Sequence, residues 1–513
     1  MESAQVQSYK RRNLLKYGIA AAVLTASGVS ARAGSVGGRL TVGLSGASPL
    51  DSWDARTFSD SFMIACGQGA VFDCLTEVTA DGSLVGELAE SWESSADGRI
   101  WTVVLRRGVT FHNGKPFVAQ DVIDSFNLHR GTSSGARVIV DGVQDISRLS
   151  DHQVRFTLTS GNADFPYLLS DYHLIIYPSG QIDEAIAQGI GTGLYRVESF
   201  EPGVRFVGRR VQSHYKDGTA GWFDRVEFVA MNDRARRMNA LLTGQVDAVD
   251  RVDPAAVSRL STHPRINVVE TTGNMHLAFG MRTDTAPFDD LNVRLALKHG
   301  IDRQAIVDRV LHGHGRVAAD SPIGPANQFF ANLAPLSHDP DRAAWHLRQA
   351  GLSSVSVDLF TSDAAMNLSA AEEFRTAAAP AGIDIQINEA PSVGYWGDTF
   401  GKQAFAATYW SGRVTEDWMF STAYHAGSPW NDTRWADGRF EQLLVAARAE
   451  FDPDLRSELY AEMQLILRDQ GSAIIPAFAN WIGATSDRVG RPASIGNLWP
   501  MDNARMAERW WIA

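Results

Sequence analysis

One stretch, residues 395–432, gathers charged and aromatic side chains that could contact a small charged molecule, and it includes a strand-like run that ends at Trp410. Arg413, Glu416 and Asp417 follow that run closely. A carboxylate in a water-poor site is costly unless a cation meets it, so the acidic pair would suit a bound ammonium or guanidinium. Arg413 could meet a carboxylate of the bound molecule, or it could pair with Asp417 and merely stabilise the loop.

The same stretch is dense in aromatic side chains. Flat rings cover a sugar face or an aliphatic chain with few rotamers to freeze, and they serve ordinary core packing equally well. Both interpretations stay open for the candidate aromatic contacts, which are Tyr395, Trp396, Trp410, Tyr424 and Trp430.

Two other chemistries find little support. A serine hydrolase needs a GxSxG elbow, and the run GLSGA at 43–47 matches it only in part, with no His or Asp companion that spacing identifies. The histidines that were considered as metal ligands form no i, i+4 pair beside a carboxylate; they are His276, His312, His314 and His425. We therefore predict no catalytic residue, no metal site, no cofactor and no enzyme activity.

Composition is that of an ordinary globular protein. The chain has 513 residues, 44% hydrophobic and 21% charged, which is enough for two or three domains with large cores. Its formal net charge of −12 disfavours broad nucleic-acid binding. We predict no nucleic-acid partner.

Residues 1–33 have the pattern of an export signal. A basic start precedes a short apolar run, and Ala31-Arg32-Ala33 is a small-x-small cleavage site. The pair Arg11-Arg12 followed by NLLK is typical of the twin-arginine type. An ordinary secretory signal is the alternative, and a membrane anchor is disfavoured because the apolar run is shorter than the roughly 20 residues that a bilayer needs.

The chain has two cysteines, Cys66 and Cys74, in an apolar segment whose spacing is compatible with a helix. Residues eight apart on a helix lie about 12 Å apart, beyond the reach of an unstrained disulfide. Buried free thiols are therefore favoured over a bridge.

Strands alternate with helices along the chain. Residues 39–46 and 151–160 have strand periodicity, and a pair of strands is hinged at Glu201-Pro202-Gly203. Helices with an Asp cap and a Pro in the first turn begin near Asp339 and Asp452. This alternation predicts α/β layers.

Several segments together resemble a known family. LAESWESSADGRIWTVVLRRGVTFHNGKPFVAQDVIDSF, starting at Leu88, is similar to the hallmark segment of the extracytoplasmic solute-binding proteins of ABC importers, in the large family 5 that serves peptides, nickel and opines. GTGLYRVESFEPG, MNALLTGQVDAV, PFDDLNVRLALKHGIDRQAIVDRVLHGHG, DPDRAAWHLRQAGL and FEQLLVAARAEFDPDLRSELYAEMQLILRDQGSAIIPAF match further family blocks in the same order. The resemblance covers essentially the whole chain after the export signal.

The resemblance implies a two-lobed periplasmic binding protein of type II, large and cluster C-like, whose lobes close on a ligand held in the cleft between them. We expect lobe 1 at 34–274 plus 483–513, with an outer subdomain at about 76–185, and lobe 2 at 275–482. It also implies a monomer in the periplasm that works with ABC permease subunits in the inner membrane.

The family places cleft residues of the second lobe in the aromatic stretch 395–432. Peptide-binding relatives carry an acid after a W-[ST]-G strand that pairs with the ligand amine, and Asp417 matches it best, with Glu416 as the neighbouring choice. Dipeptide binders also supply an Arg where this chain has Asp363. Arg413 could substitute for that Arg.

We therefore predict capture of a peptide or peptide-like solute for import. The alternative is a receptor for an opine, a sugar conjugate or another cationic solute, and nickel binding, haem binding or a secreted hydrolase are weaker alternatives. The sequence leaves the ligand's identity open, as well as the choice between import and sensing.

Overall fold

A computed structural model describes residues 36–362, 366–391 and 395–513, and only the backbone of residues 396 and 397. The predicted export signal, residues 1–33, lies outside these ranges. None of the described helices is long and apolar enough to cross a bilayer.

The strands of the described residues form one large mixed sheet and three small ones. Their bounds are β1 Arg39–Leu44, β2 Thr76–Val78, β3 Leu84–Gly86, β4 Ala89–Ser94, β5 Ile100–Leu105, β6 Val143–Ser150, β7 Gln153–Leu158, β8 Tyr195–Glu201, β9 Arg205–Arg210, β10 Arg225–Ala230, β11 Ala248–Val249, β12 Ile266–Met281, β13 Gly315–Val317, β14 Val355–Thr361, β15 Ile383–Glu389, β16 Phe405–Trp410, β17 Ala473–Ile474, β18 Ala477–Ser486, β19 Val489–Gly490 and β20 Trp511–Ile512.

Helices alternate with these strands, as the sequence predicts. Their bounds are α1 Ser61–Cys66, α2 Ala119–Asn127, α3 Arg137–Asp141, α4 Phe165–Leu168, α5 Ile182–Gln188, α6 Arg234–Leu242, α7 Val257–Ser261, α8 Leu291–Gly300, α9 Arg303–Ala305, α10 Pro340–Gln349, α11 Asn367–Ala378, α12 Tyr395–Asp398, α13 Glu416–Ala423, α14 Gly438–Ala449, α15 Pro453–Gln470, α16 Pro500–Asn503 and α17 Met506–Arg509.

Local sequence explains several of these boundaries. The carboxylate of Asp339 accepts from the Arg342 N–H at the start of α10, and Asp452 accepts from two N–H groups at the start of α15. Each helix has Pro in its first turn, where the missing N–H costs nothing. The predicted strand pair around Glu201-Pro202-Gly203 is the antiparallel pair β8–β9. Both predictions are confirmed.

Two long strands join the lobes. The main sheet runs β15-β14-β16-β12-β18-β11-β1-β10-β9-β8, with β13 beside β18 and β17 beside β12. β12 pairs with β18 over most of its length, and the register shifts between Thr271 and Met275. β12 then pairs with β16 on one side of this shift, while β18 pairs with β11 at its other end. The sheet therefore continues from one lobe into the other through β12 and β18.

Separate hydrophobic cores mark the two lobes. The first-lobe core is built from β1, the segment after α1 and the outer sheet β4-β5-β7-β6, and it includes the C-terminal Met506, Ala507 and Trp510. The second-lobe cores contain side chains from 277–479 and from 278–478. The C-terminal tail thus packs on the first lobe. The exact lobe boundaries given above stay a prediction.

The two cysteines are free and buried, as predicted. Cys66 ends α1, and Cys74 lies beyond the end of the helical segment, so the two thiols do not share one regular helix. Burial raises the pKa of both thiols well above the ordinary value. Both therefore stay protonated and behave as small core residues.

Candidate functional site

One cavity among the described residues lies between the lobes, beside the two connecting strands. Its volume is about 290 Å³. The first lobe supplies Ser45 and Gly46 after β1 and Arg234 at the start of α6, and the second lobe supplies Met366 and Tyr409. The floor comes from β12 and β18, with Met275, Ala479, Asn480, Trp481 and Ile482. A molecule in this cavity would touch both lobes at once.

A smaller cavity of about 50 Å³ adjoins the first one. The two share four lining residues, Arg251, Tyr409, Ser411 and Trp481. Its own wall includes α1 and the aromatic ring of Trp499. We treat the two together as the interlobe cleft.

The cleft carries hydrogen-bond donors that the sequence reasoning missed. Arg251 is paired with Asp60 across the smaller cavity. The indole N–H of Trp481 is buried and has no hydrogen-bond partner among the described residues. Arg234 is exposed at the rim. These side chains come from three separate segments, so no spacing in the sequence links them.

The run GLSGA, considered above as a partial hydrolase elbow, has a structural role in the cleft wall. The Ser45 hydroxyl donates to Asp250 at 2.7 Å, and the Ser45 N–H donates to the other oxygen of that carboxylate at 3.0 Å. The partner that would activate a nucleophile is a histidine. The hydroxyl is instead fixed by a carboxylate in the wall of the binding cavity.

Asp417 does not pair with Arg413. Its carboxylate accepts from Arg448 Nε at 2.8 Å, and the Ser421 hydroxyl lies 3.3 Å away. Asp417 is buried, and it lines a separate cavity of about 110 Å³ between α13, α14 and the outer part of the first lobe. The alternative of an Asp417–Arg413 pair is therefore wrong, because Arg448, 31 residues further along the chain, supplies the cation. A ligand contact by Asp417 stays a prediction, and a ligand amine would have to compete with Arg448.

Glu416 lies at the start of α13 and is 1% exposed. One carboxylate oxygen accepts from the backbone N–H of Phe329 at 2.6 Å. Burial raises the pKa of Glu416 to about 7. The carboxyl is thus an anchor for the loop before Phe329, and Glu416 lines a crevice with Asp164 and Tyr167 rather than either interlobe cavity.

Arg413 lies between two indole rings. Its guanidinium carbon is 5.7 Å from the Trp410 ring centre and 5.6 Å from that of Trp418. The side chain donates to the carbonyl of Gly412 at 2.7 Å. Ser411, two residues earlier, lines both parts of the cleft. Arg413 therefore comes two residues after a residue of the cleft wall in the chain.

The predicted aromatic contacts belong mainly to the second-lobe core. Trp410 and Tyr424 are core residues. The Tyr395 hydroxyl donates to the carbonyl of Ala407 at 2.6 Å and also lies 3.1 Å from the carbonyl of Phe360. Trp430 is 45% exposed and packs against Phe400 and Trp410. None of these described rings lines the interlobe cavities, where Tyr409, Trp481 and Trp499 are found instead. The side chain of Trp396 and all of Asp363 lie outside the described residues.

The lobes also meet far from the connecting strands. Arg456 of α15 pairs with Asp164 of the first lobe at 2.6 Å, and both side chains are more than nine-tenths buried. The backbone N–H of Ala163 donates to the carbonyl of Arg448 at 2.8 Å. Trp418 of α13 packs into the first-lobe core. In the described arrangement the two lobes are therefore in direct contact through these residues.

One group of carboxylates has ligand atoms close enough for a metal ion. Asp73, Glu87 and Glu508 have oxygens within 4.8 Å of one another. The ammonium of Lys216 lies 3.5, 2.6 and 3.2 Å from these three groups, in that order, and Arg505 pairs with Glu87 and Glu508. Protein cations therefore already neutralise this cluster, which is a structural ion network.

Replacing Glu416 by glutamine is expected to change how stability depends on pH. The folded protein keeps the Glu416 proton up to about pH 7, while the unfolded chain releases it above its ordinary pKa of 4.5. This carboxyl therefore lowers stability progressively as pH rises from about 4.5 to about 7. Glu416→Gln keeps an acceptor for the Phe329 N–H. Its free energy of unfolding should therefore exceed that of the wild type by up to about 3 kcal/mol at pH 8 and by little at pH 4.5.

Urea denaturation at several pH values measures this difference. Glu441→Gln is a suitable control, because that carboxylate is partly exposed and pairs with His425. Parallel stability curves for the wild type and Glu416→Gln would show that Glu416 ionises normally in the folded state.

Comparisons with known proteins agree with this architecture. A family model described as bacterial extracellular solute-binding proteins, family 5 Middle, matches residues 83–432. The dipeptide-binding protein of Escherichia coli K12 is 26% identical over 522 residues, which cover 92% of this chain and 94% of that protein.

Solved structures show the same fold. The periplasmic binding protein DppA of Helicobacter pylori, in complex with the peptide STSA, aligns with a TM-score of 0.81 at 22% identity, over 93% of this chain and 98% of that chain. The binding protein AgaA of A. tumefaciens R10, in complex with agropinic acid, aligns with a TM-score of 0.82 at 21% identity, over 93% and 99%. The predicted two-lobed α/β fold is confirmed.

Proposed function

Because the chain belongs to the bacterial extracellular solute-binding proteins of family 5, we propose that it captures a peptide or peptide-like solute and delivers it to the permease of an ABC importer. Members of this family are solute-binding proteins rather than enzymes. The similarity to a dipeptide-binding protein supports peptides as the solute class. The fold shared with an agropinic-acid complex keeps an opine as the second candidate.

The observation that carries this proposal is the interlobe cavity. Residues of both lobes line it, and the strands β12 and β18 that connect the lobes form its floor. Closure of two lobes around a solute removes the solute from water and strengthens each polar contact. The closed shape gives a transporter a surface to recognise.

The same proposal covers location and partners. We propose that residues 1–33 export the chain through the twin-arginine route, and that the folded protein works as a monomer in the periplasm. Its partners would be the solute and the permease subunits in the inner membrane.

A thermal-shift screen tests the solute class. Purified protein without residues 1–33 is mixed with dipeptides, tripeptides, opines, neutral sugars and nickel-histidine complexes. A solute that binds only the folded state raises the melting temperature, by the equivalent of about 2.7 kcal/mol at a hundredfold excess over Kd. Stabilisation by peptides supports the proposal, stabilisation by opines alone selects the second candidate, and no stabilisation by any small solute would contradict both.

Replacing Asp417 by alanine separates a ligand contact from a structural ion pair. The pair with Arg448 predicts that Asp417→Ala lowers the melting temperature of the ligand-free protein, because the partly buried guanidinium loses its carboxylate. Contact with a ligand amine predicts in addition a loss of affinity of about 2 to 5 kcal/mol.

Calorimetric titration with a peptide found in the screen measures the second quantity. Arg448→Gln is the matched control, since it breaks the same ion pair and leaves the carboxylate in place. Equal affinities of Asp417→Ala and the wild type would show that Asp417 does not contact the ligand.

A further inference from the structure

A crevice where the lobes touch, away from the connecting strands, brings together one buried carboxyl from each lobe. Asp164 immediately precedes α4 in the first lobe, and Glu416 begins α13 in the second. Both residues line the crevice, and they are 4% and 1% exposed. The crevice shares no lining residue with either interlobe cavity. Its two carboxyls therefore act on the contact between the lobes rather than on the solute.

The two carboxyls have one guanidinium between them. Nη2 of Arg456 lies 2.6 Å from Oδ2 of Asp164. The other arginine nearby, Arg448, is paired with Asp417 at 2.8 Å. Among the residues that the structure describes, no cation pairs with Glu416. Two ionised carboxyls beside one guanidinium would leave a net negative charge in a buried site, which is costly. Glu416 is therefore the carboxyl that stays neutral while the lobes touch.

The charged and titratable groups around Glu416 come from both lobes. They are Asp164 and Tyr167 of the first lobe, Arg456 and Tyr460 of α15, Asp417 of α13 and Arg448 of α14. Burial is the largest cause of the raised pKa of Glu416, the Phe329 N–H opposes it, and the negative charge of Asp164 raises the pKa further. The Asp164 charge and part of the burial belong to the opposite lobe. Separation of the lobes would therefore lower the pKa of Glu416.

We propose that contact between the lobes takes up one proton at Glu416, so that acidic surroundings hold the lobes together and a rise in pH loosens them. The proton comes from the solvent and converts the carboxylate to the neutral acid. An arrangement that binds a proton more tightly is favoured at low pH. This inference rests on the proposed function and adds regulation to it, because a solute held between the lobes would be retained more tightly in acid.

Small-angle scattering without any added solute tests the coupling. The radius of gyration is measured from pH 5.5 to pH 8.5 at constant ionic strength for the wild type, Glu416→Gln and Asp432→Asn. Asp432 is the matched control, because burial raises its pKa to about 7 as well, and the groups that oppose this rise, Arg434 and Thr433, belong to the same stretch of the second lobe. Circular dichroism at each pH verifies folding.

The radius of the wild type should increase as pH rises and return when the sample is brought back to pH 5.5. The pKa of Glu416 is about 7 with the lobes in contact, against an ordinary value of 4.5. The contact therefore keeps its proton up to about pH 7, while separated lobes release it above about pH 4.5. The equilibrium constant for contact should fall by up to about 30-fold between pH 5.5 and pH 8.5. Glu416→Gln is always neutral and should keep the small radius at every pH, whereas Asp432→Asn should follow the wild type.

The outcomes separate this inference from the proposed function, because scattering needs no solute. A wild-type radius that does not change with pH overturns the inference and leaves solute capture standing. A Glu416→Gln protein that expands with pH as the wild type does also overturns it, and so does a response that Asp432→Asn removes. A pH response that only Glu416→Gln removes supports the inference, even where the thermal-shift screen finds no solute and rejects the proposed function.

Discussion

Replacing Lys216 by methionine is expected to lower the free energy of unfolding by about 3 to 5 kcal/mol, because it leaves buried carboxylates without their central cation. The Lys216 ammonium lies 2.6 Å from Glu87, 3.2 Å from Glu508 and 3.5 Å from Asp73. Methionine keeps most of the side-chain volume, so the loss would reflect charge rather than packing.

The measurement is urea denaturation at pH 7 and pH 5. The deficit should shrink at the lower pH, because uncompensated buried carboxylates have raised pKa values and become protonated there. The double variant Lys216→Met with Glu87→Gln should lose less unfolding free energy than Lys216→Met alone, since one repelling charge is removed. Lys402→Met is the control, being an exposed lysine at the surface. A Lys216→Met protein as stable as Lys402→Met would show that the ion network contributes nothing to the fold.

Replacing Asp164 by alanine is expected to open the ligand-free protein. In the closed form Arg456 is buried against Asp164, so loss of the carboxylate leaves an unpaired buried cation that costs about 3 to 5 kcal/mol. Opening of the lobes would return Arg456 to water and relieve that cost. The equilibrium between closed and open forms should therefore shift toward the open form by about two to four orders of magnitude.

Small-angle scattering measures this shift as a larger radius of gyration without ligand. Solute affinity should fall as well, because closure must then be driven by the solute. Asp151→Ala is the matched control, since Asp151 lies between β6 and β7 of the small outer sheet and forms an exposed pair with Arg148. An Asp164→Ala protein with the radius and affinity of Asp151→Ala would show that the ion pair does not hold the lobes together.

Much of the fold could be predicted because its signals are local. The cap at Asp339 and the strand pair around Glu201-Pro202-Gly203 depend on residues a few positions apart. The ordered family blocks extended these local signals to a two-lobed architecture. The candidate site was harder to predict from the sequence. The stretch 395–432 supplies one wall of a cleft, and the other walls come from β1, α6 and β18.

The sequence by itself determined the order of helices and strands, which follows from periodicity and caps. Its ordered blocks carried the resemblance that implied the family and the general task of solute capture. Only the tertiary structure decided the ion partners. Asp417 meets Arg448 rather than Arg413, and Arg456 meets Asp164 at a separation of 292 residues. Charged side chains pair with whichever opposite charge the packing of lobes and helices brings within reach, and that proximity has no period in the chain.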